Sequence, residues 1–221
     1  KDYILSPEYF WSIYVWSGIW TGAGWGTIIY LAALSSVSQE TIEAAIIDGA
    51  TGRCLAAGQY PDVEMTIEAP QAGWAEQHPD LWYNNFKQAL ARLMKNPEVK
   101  ADQIGAIGIS YQMHGLVLVD KAMNPLRNAI IWCDSRATGI GAQAFKGLGE
   151  EWCLSHLLNS PGNFTASKLK WVIHNQKAIY EKAAHFMLPG DYIAMKLTGE
   201  VNTTVSGLSE GIFWDFKNDK L

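Results

Sequence analysis

The sequence predicts an α/β fold, a sheet with helical crossovers, because apolar runs of strand length alternate with segments of helical spacing. The densest evidence is Ile104 to Arg136, which reads IGAIGIS, YQMHG, LVLVD, a turn through MNPLRN, then AIIWCDSR. Short polar breaks separate the apolar runs, and each break carries polar or reactive side chains at a strand end. Ligands of open α/β sheets sit in crevices at such ends. Met113, His114, Asp134 and Arg136 are therefore the first candidates for function. A further observation is a hairpin pattern, AAIIDGATGRCLAAGQYP, with its turn at Asp48–Gly52.

The remaining elements follow in chain order. Residues 60–77 read as an extended connection punctuated by Pro and Gly. Pro79-Asp80 opens a helix in which Trp82, Phe86, Ala89, Leu90 and Leu93 make one stripe, and Asn96-Pro97 ends it. A second helix is expected over about 137–148. A third is capped by Thr165, with Leu169, Val172 and Ile173 on its apolar side. HFMLP at 185–189 reads as a short buried strand, and DYIAMKLTG at 191–199 as a helix with Asp191 at its N-cap and Gly199 closing it. GIFWDF, ending at Phe216, is strand-like.

The N-terminus does not fit this scheme. Tyr9 to Ser38 holds no charged residue and contains Trp11, Trp16, Trp20 and Trp25. It is long enough to cross a bilayer core, which needs about 20 apolar residues. Gly18, Gly22 and Gly26 share one helix face, a spacing that lets membrane helices approach closely. Residues 9–38 are thus read as an apolar helical segment with a membrane as partner.

Composition narrows the function classes. A net charge of −5 argues against a nucleic-acid partner, which calls for a basic face. Cys54, Cys133 and Cys153 are scattered without a CxxC spacing, which suits a reducing cytosol better than a disulfide scaffold. His78, His114, His156, His174 and His185 never cluster, so spacing argues for no metal site.

Two resemblances carry the reading further. Ile13 to Ala50 looks like the permease subunit of a sugar-importing ABC transporter, with Glu43 to Ala50 resembling its cytoplasmic EAA loop. From Ala45 onward the sequence resembles the N-terminal domain of the FGGY carbohydrate kinases, in particular the xylulokinases. QAGWAEQ (71–77), SYQMHGLVLVD (110–120), PLRNAIIWCDSR (125–136), NFTASKLKWV (163–172) and LPGDYIAMKLTGE ending at Glu200 keep the order of that family. The expected organisation is a permease-like segment at 1–44 and a partial kinase domain at 45–221. The resemblance implies an actin/ribonuclease H-like ATPase fold, here incomplete. It also implies a parent enzyme that uses ATP and Mg to phosphorylate a ketopentose, xylulose to xylulose 5-phosphate, in the cytoplasm, with room for a homodimer.

The family's phosphate-holding hairpin is not seen before Ala45. Its general base and ATP-binding second domain would lie beyond residue 221. No catalytic, cofactor or metal residue is therefore assigned, and this chain is expected to be an inactive fragment. A permease component and a noncatalytic sugar-binding module with a membrane anchor are the other readings.

The candidate substrate residues are Gln112, Met113, His114, Asp134 and Arg136. Gln112 and His114 offer donors and acceptors for hydroxyls, while Met113 offers an apolar wall for the CH face of a polyol. From the residues alone a core histidine with one hydrogen bond is slightly the better reading of His114. The resemblance favours contact, because Met113 and His114 match positions where xylulokinases meet the sugar. Asp134 and Arg136, two apart on an extended chain, can form an ion pair, either structural or presenting the carboxylate to a hydroxyl. Trp132 reads as core, and Lys168 and Lys170 as solvated helix charges.

Overall fold

The computed structural model describes residues 42–221. The apolar segment at residues 9–38 and most of the permease-like stretch lie outside them. Residues 42–50, the end of that stretch, form a strand and its turn. Strand β1 (Ile42–Ile47) pairs antiparallel with β2 (Cys54–Tyr60), Ile42 lying opposite Tyr60. Asp48 makes the turn: its Oδ1 accepts hydrogen bonds from the Ala50 and Thr51 amides and the Thr51 hydroxyl, an Asx turn of the kind aspartate favours.

Helix α1 (Pro79–Leu93) packs against this hairpin. His78 caps it through Nδ1, and Pro79 occupies the first turn, where a missing N–H costs nothing. Its buried face is Trp82, Asn85, Ala89 and Leu93. Asn85 breaks the apolar stripe, and its Nδ2 donates to the Met65 sulfur at 3.0 Å.

The central layer is short. β3 (Glu76–Gln77) pairs with β5 (Ala129–Ile130), and β4 (Val117–Val119) pairs with β6 (His185–Met187). A bridge between Leu116 and Ile130 joins the two pairs. Successive strand residues point to opposite faces, and both faces are covered. Val117 and Val119 belong to a core with Trp82 of α1 and with Tyr192 and Met195 of helix α6 (Pro189–Thr198). Leu116, Leu118 and Ile130 form a second core with Val172 of helix α4 (Thr165–Asn175). Burial on both faces is why LVLV is an unbroken apolar run rather than an alternating one. Helices α2 (Thr138–Leu148), α3 (Glu150–His156), α5 (Lys177–Tyr180) and α7 (Val205–Glu210) complete the described chain.

Several local expectations are corrected. The paired strands among the described residues are all antiparallel. Ile104 to Ser110 is apolar enough for a strand, yet it joins no ladder among the described residues and is largely exposed. GIFWDF contains no strand: Asp215 forms an isolated bridge with Lys220 instead. Asp191 is not the N-cap of α6. Leu188 holds that place, and Asp191, three residues on, accepts the Leu188 amide through Oδ2 at 3.2 Å. Gly199 does close α6, in the left-handed region at φ 78°.

Candidate functional site

Ahead of β4 the chain turns at Met113–His114. His114 takes φ 61°, a left-handed conformation that costs a non-glycine residue of order 1–3 kcal/mol. Gly115 follows because nothing larger fits: a Cβ there would lie 2.4 Å from Pro189 Cγ. The His114 amide donates to Glu210 Oε1 at 2.5 Å, and its carbonyl accepts from Lys168 Nζ at 2.8 Å. The imidazole stands edge-on to Phe164, with centroids 4.1 Å apart. Its Nδ1 is buried without a hydrogen-bond partner among the described residues, 3.7 Å from Glu210 Oε1. Burial pushes the His114 pKa below its ordinary value, while the Glu210 carboxylate pulls it up less strongly. The ring is therefore neutral near pH 7, with one nitrogen a donor and the other an acceptor.

Beside this turn lies the end of β5. Trp132 is not core, as its place after AII suggested. The strand stops at Ile130, residues 132–133 turn, and the indole is 52% exposed. Its amide donates to Gln112 Oε1 at 3.2 Å, tying the two loops together. Met113 is 57% exposed. Gln112, Met113 and His114 thus lie on one surface turn, connected to the Trp132 loop.

Asp134 and Arg136 lie beneath. The Asp134 side chain is fully buried. Its Oδ2 accepts the Ala75 amide at 2.6 Å, and both its oxygens accept from Arg136 Nε at 2.9 Å. Arg136 also reaches Glu76 Oε1 at 2.7 Å, and its guanidinium lies 3.8 Å from the Trp74 ring centroid. Arg127 pairs with the same Glu76 oxygen. The predicted ion pair therefore forms, as the hub of a buried network rather than as a presented carboxylate.

Lys168 corrects the reading of a solvated charge. It is fully buried, and its Nζ donates to the carbonyls of His114 at 2.8 Å and Ile131 at 2.9 Å. Burial brings its pKa down to about 8 despite the nearby Asp134 carboxylate. One of the two residues the sequence reading missed left a local signal and the other did not. Lys168 lies three after Thr165 and four before Val172, both buried, so helical spacing placed it inward. Glu210 gave no local signal, being 96 residues from His114. No group of three or more His, Cys, Asp or Glu among the described residues is placed to hold a metal ion by itself.

Residues 39–220 match the model of the N-terminal domain of the FGGY family of carbohydrate kinases, and the chain belongs to that family. It is 38% identical to the xylulose kinase of Bacillus subtilis over 141 residues, 62% of this chain and 27% of the relative. It is 34% identical to that of Staphylococcus xylosus over 162 residues, 71% of this chain and 32% of the relative. The chain thus spans about a third or less of the curated relatives it matches. A solved xylulose kinase from Rhodospirillum rubrum superimposes at TM-score 0.72 with 25% identity, over 81% of this chain and 37% of that one. A glycerol kinase from Plasmodium falciparum does so at 0.72 with 19% identity, over 82% of this chain and 37% of that one, which speaks to fold alone. The fold is the actin/ribonuclease H-like ATPase fold of these kinases.

Proposed function

We propose that residues 45–221 are the partial sugar-side domain of a kinase whose full-length form phosphorylates a ketopentose, xylulose to xylulose 5-phosphate. The observation that carries this is the surface at the Met113–His114 turn. Exposed Met113 and Trp132 give an apolar wall beside the polar groups of Gln112 and His114, the composition a polyol needs. The xylulose kinases among its relatives support the choice of sugar.

In this reading Gln112 and His114 bind hydroxyls, and Met113 packs on the sugar's CH face. Asp134 and Arg136 complete the site by fixing the 131–136 loop from below, a supporting role that their burial favours over direct hydroxyl contact. MgATP is the phosphoryl donor, supported by the family. When bound it supplies the phosphoryl group, while the described residues contribute binding and orientation of the acceptor. The reading takes the kinase part to be cytoplasmic, and the full-length enzyme can form a homodimer. No helix among the described residues is long and apolar enough to cross a membrane. Any membrane contact through residues 9–38 would be a property of that segment.

The test is sugar binding by the full-length enzyme carrying His114→Ala. Leaving a buried polar partner unmet costs about 1–3 kcal/mol, so sugar affinity should fall by that amount with ATP affinity unchanged. A folded variant with unaltered sugar affinity would return His114 to the role of a core histidine.

A further inference from the structure

The His114 peptide is gripped at both ends by opposite charges. Glu210, the last residue of α7, takes its N–H at 2.5 Å, and Lys168, on α4, donates to its C=O at 2.8 Å. We propose that Lys168 and Glu210 act together as positioning residues for sugar binding, a charge clamp that holds the left-handed His114 turn in register with the Trp132 loop. The proposal rests on the sugar site above and adds to it two residues distant in sequence.

Three features of the geometry point this way. The first is the conformation being held. A histidine at φ 61° relaxes unless its surroundings over-determine it, and both backbone polar groups of this residue are fixed by charged partners. The second is the place of Lys168. A fully buried ammonium is expensive, and an apolar side chain of similar length would fill the same space without the desolvation cost. Its hydrogen bonds go to two backbone carbonyls, one in each loop of the site: His114, next to Met113, and Ile131, next to Trp132. One ammonium thereby sets the spacing between the two apolar walls. The third is that Glu210 lies close enough to the Tyr111 hydroxyl, three residues before His114, for its carboxylate to act on that group. Burial, and after it the Glu210 carboxylate, raise the Tyr111 pKa, so that hydroxyl keeps its proton beside the carboxylate.

Neither side chain is required to touch the sugar. The clamp works through His114, whose imidazole and preceding Met113 point wherever the peptide is turned. Loosening either end lets the turn relax out of the left-handed region and moves both contacts together.

The experiment uses the full-length enzyme, with sugar and ATP affinities measured separately by calorimetry and folding followed by the thermal midpoint. Lys168→Met keeps the volume and removes the donor. Glu210→Ala removes the acceptor, whereas Glu210→Gln keeps an acceptor oxygen without the charge. The expected result is that Lys168→Met and Glu210→Ala each weaken xylulose binding by about tenfold or more, with ATP affinity within about twofold of wild type. Glu210→Gln should restore most of the affinity that Glu210→Ala loses. Where Lys168→Met does not fold, the two Glu210 variants decide. Folded variants with a lowered midpoint and unchanged sugar affinity overturn the clamp, as does equal loss in Glu210→Gln and Glu210→Ala. His114→Ala measured alongside separates the two claims. If it weakens xylulose binding while the clamp variants do not, the sugar site stands and the clamp falls; if it has no effect, both fall.

Discussion

Arg136→Ala is expected to lower the stability of the full-length enzyme by about 3–5 kcal/mol, the cost of removing one partner from a buried ion pair. The side chains involved are almost wholly excluded from water, Arg136 at 1% and Asp134 at 0% exposure. Without the guanidinium, Asp134 keeps its bond from the Ala75 amide but loses its counter-charge. Glu76 is left to Arg127 alone, and Trp74 loses the cation stacked on its face. Arg92, paired with Asp62 on the surface, serves as an internal control. Its replacement by alanine should move the thermal midpoint little, because exposed pairs are solvent-screened. Equal shifts for the two variants in differential scanning calorimetry would mean that the Asp134 network is not the anchor described here.

The 221-residue chain, purified as it stands, is expected to show no ATP turnover with xylulose. The chain spans about a third of the length of the curated kinases it matches, from 27% to 36%. Among the described residues Ile104 to Ser110 joins no ladder and is largely exposed, an apolar stretch of the kind that aggregates when left unpaired. Detergent-solubilised chain assayed with MgATP and xylulose should remain at background. Turnover in the ordinary enzyme range, roughly 1–1000 per second, would show that the described residues and their neighbours suffice for phosphoryl transfer.

What the sequence made legible was local. The hairpin at Asp48–Gly52, helix α1 behind Pro79 and the closure of α6 at Gly199 rest on turn and cap chemistry written in adjacent residues. The Asp134–Arg136 pair was legible for the same reason, being two residues apart. What it did not show depended on contacts across the fold. Whether the pair faces a hydroxyl or a core is set by Ala75 and Glu76, some sixty residues earlier. Trp132 read as core because it continues an apolar run, but the strand ends two residues before it. Lys168 read as solvated because lysines usually are, although its helical spacing to Val172 already pointed inward. Ile104 to Ser110 shows the converse: it is apolar enough for a strand, yet no described backbone pairs with it.

The central claim is that the surface around Met113 and His114 receives a ketopentose. The most direct measurement is the ATP-dependent phosphorylation of a sugar panel by the full-length enzyme: xylulose, other pentuloses, gluconate and glycerol. The account predicts the highest kcat/KM on a ketopentose, with xylulose foremost. Activity on glycerol or gluconate with none on any pentulose would contradict it.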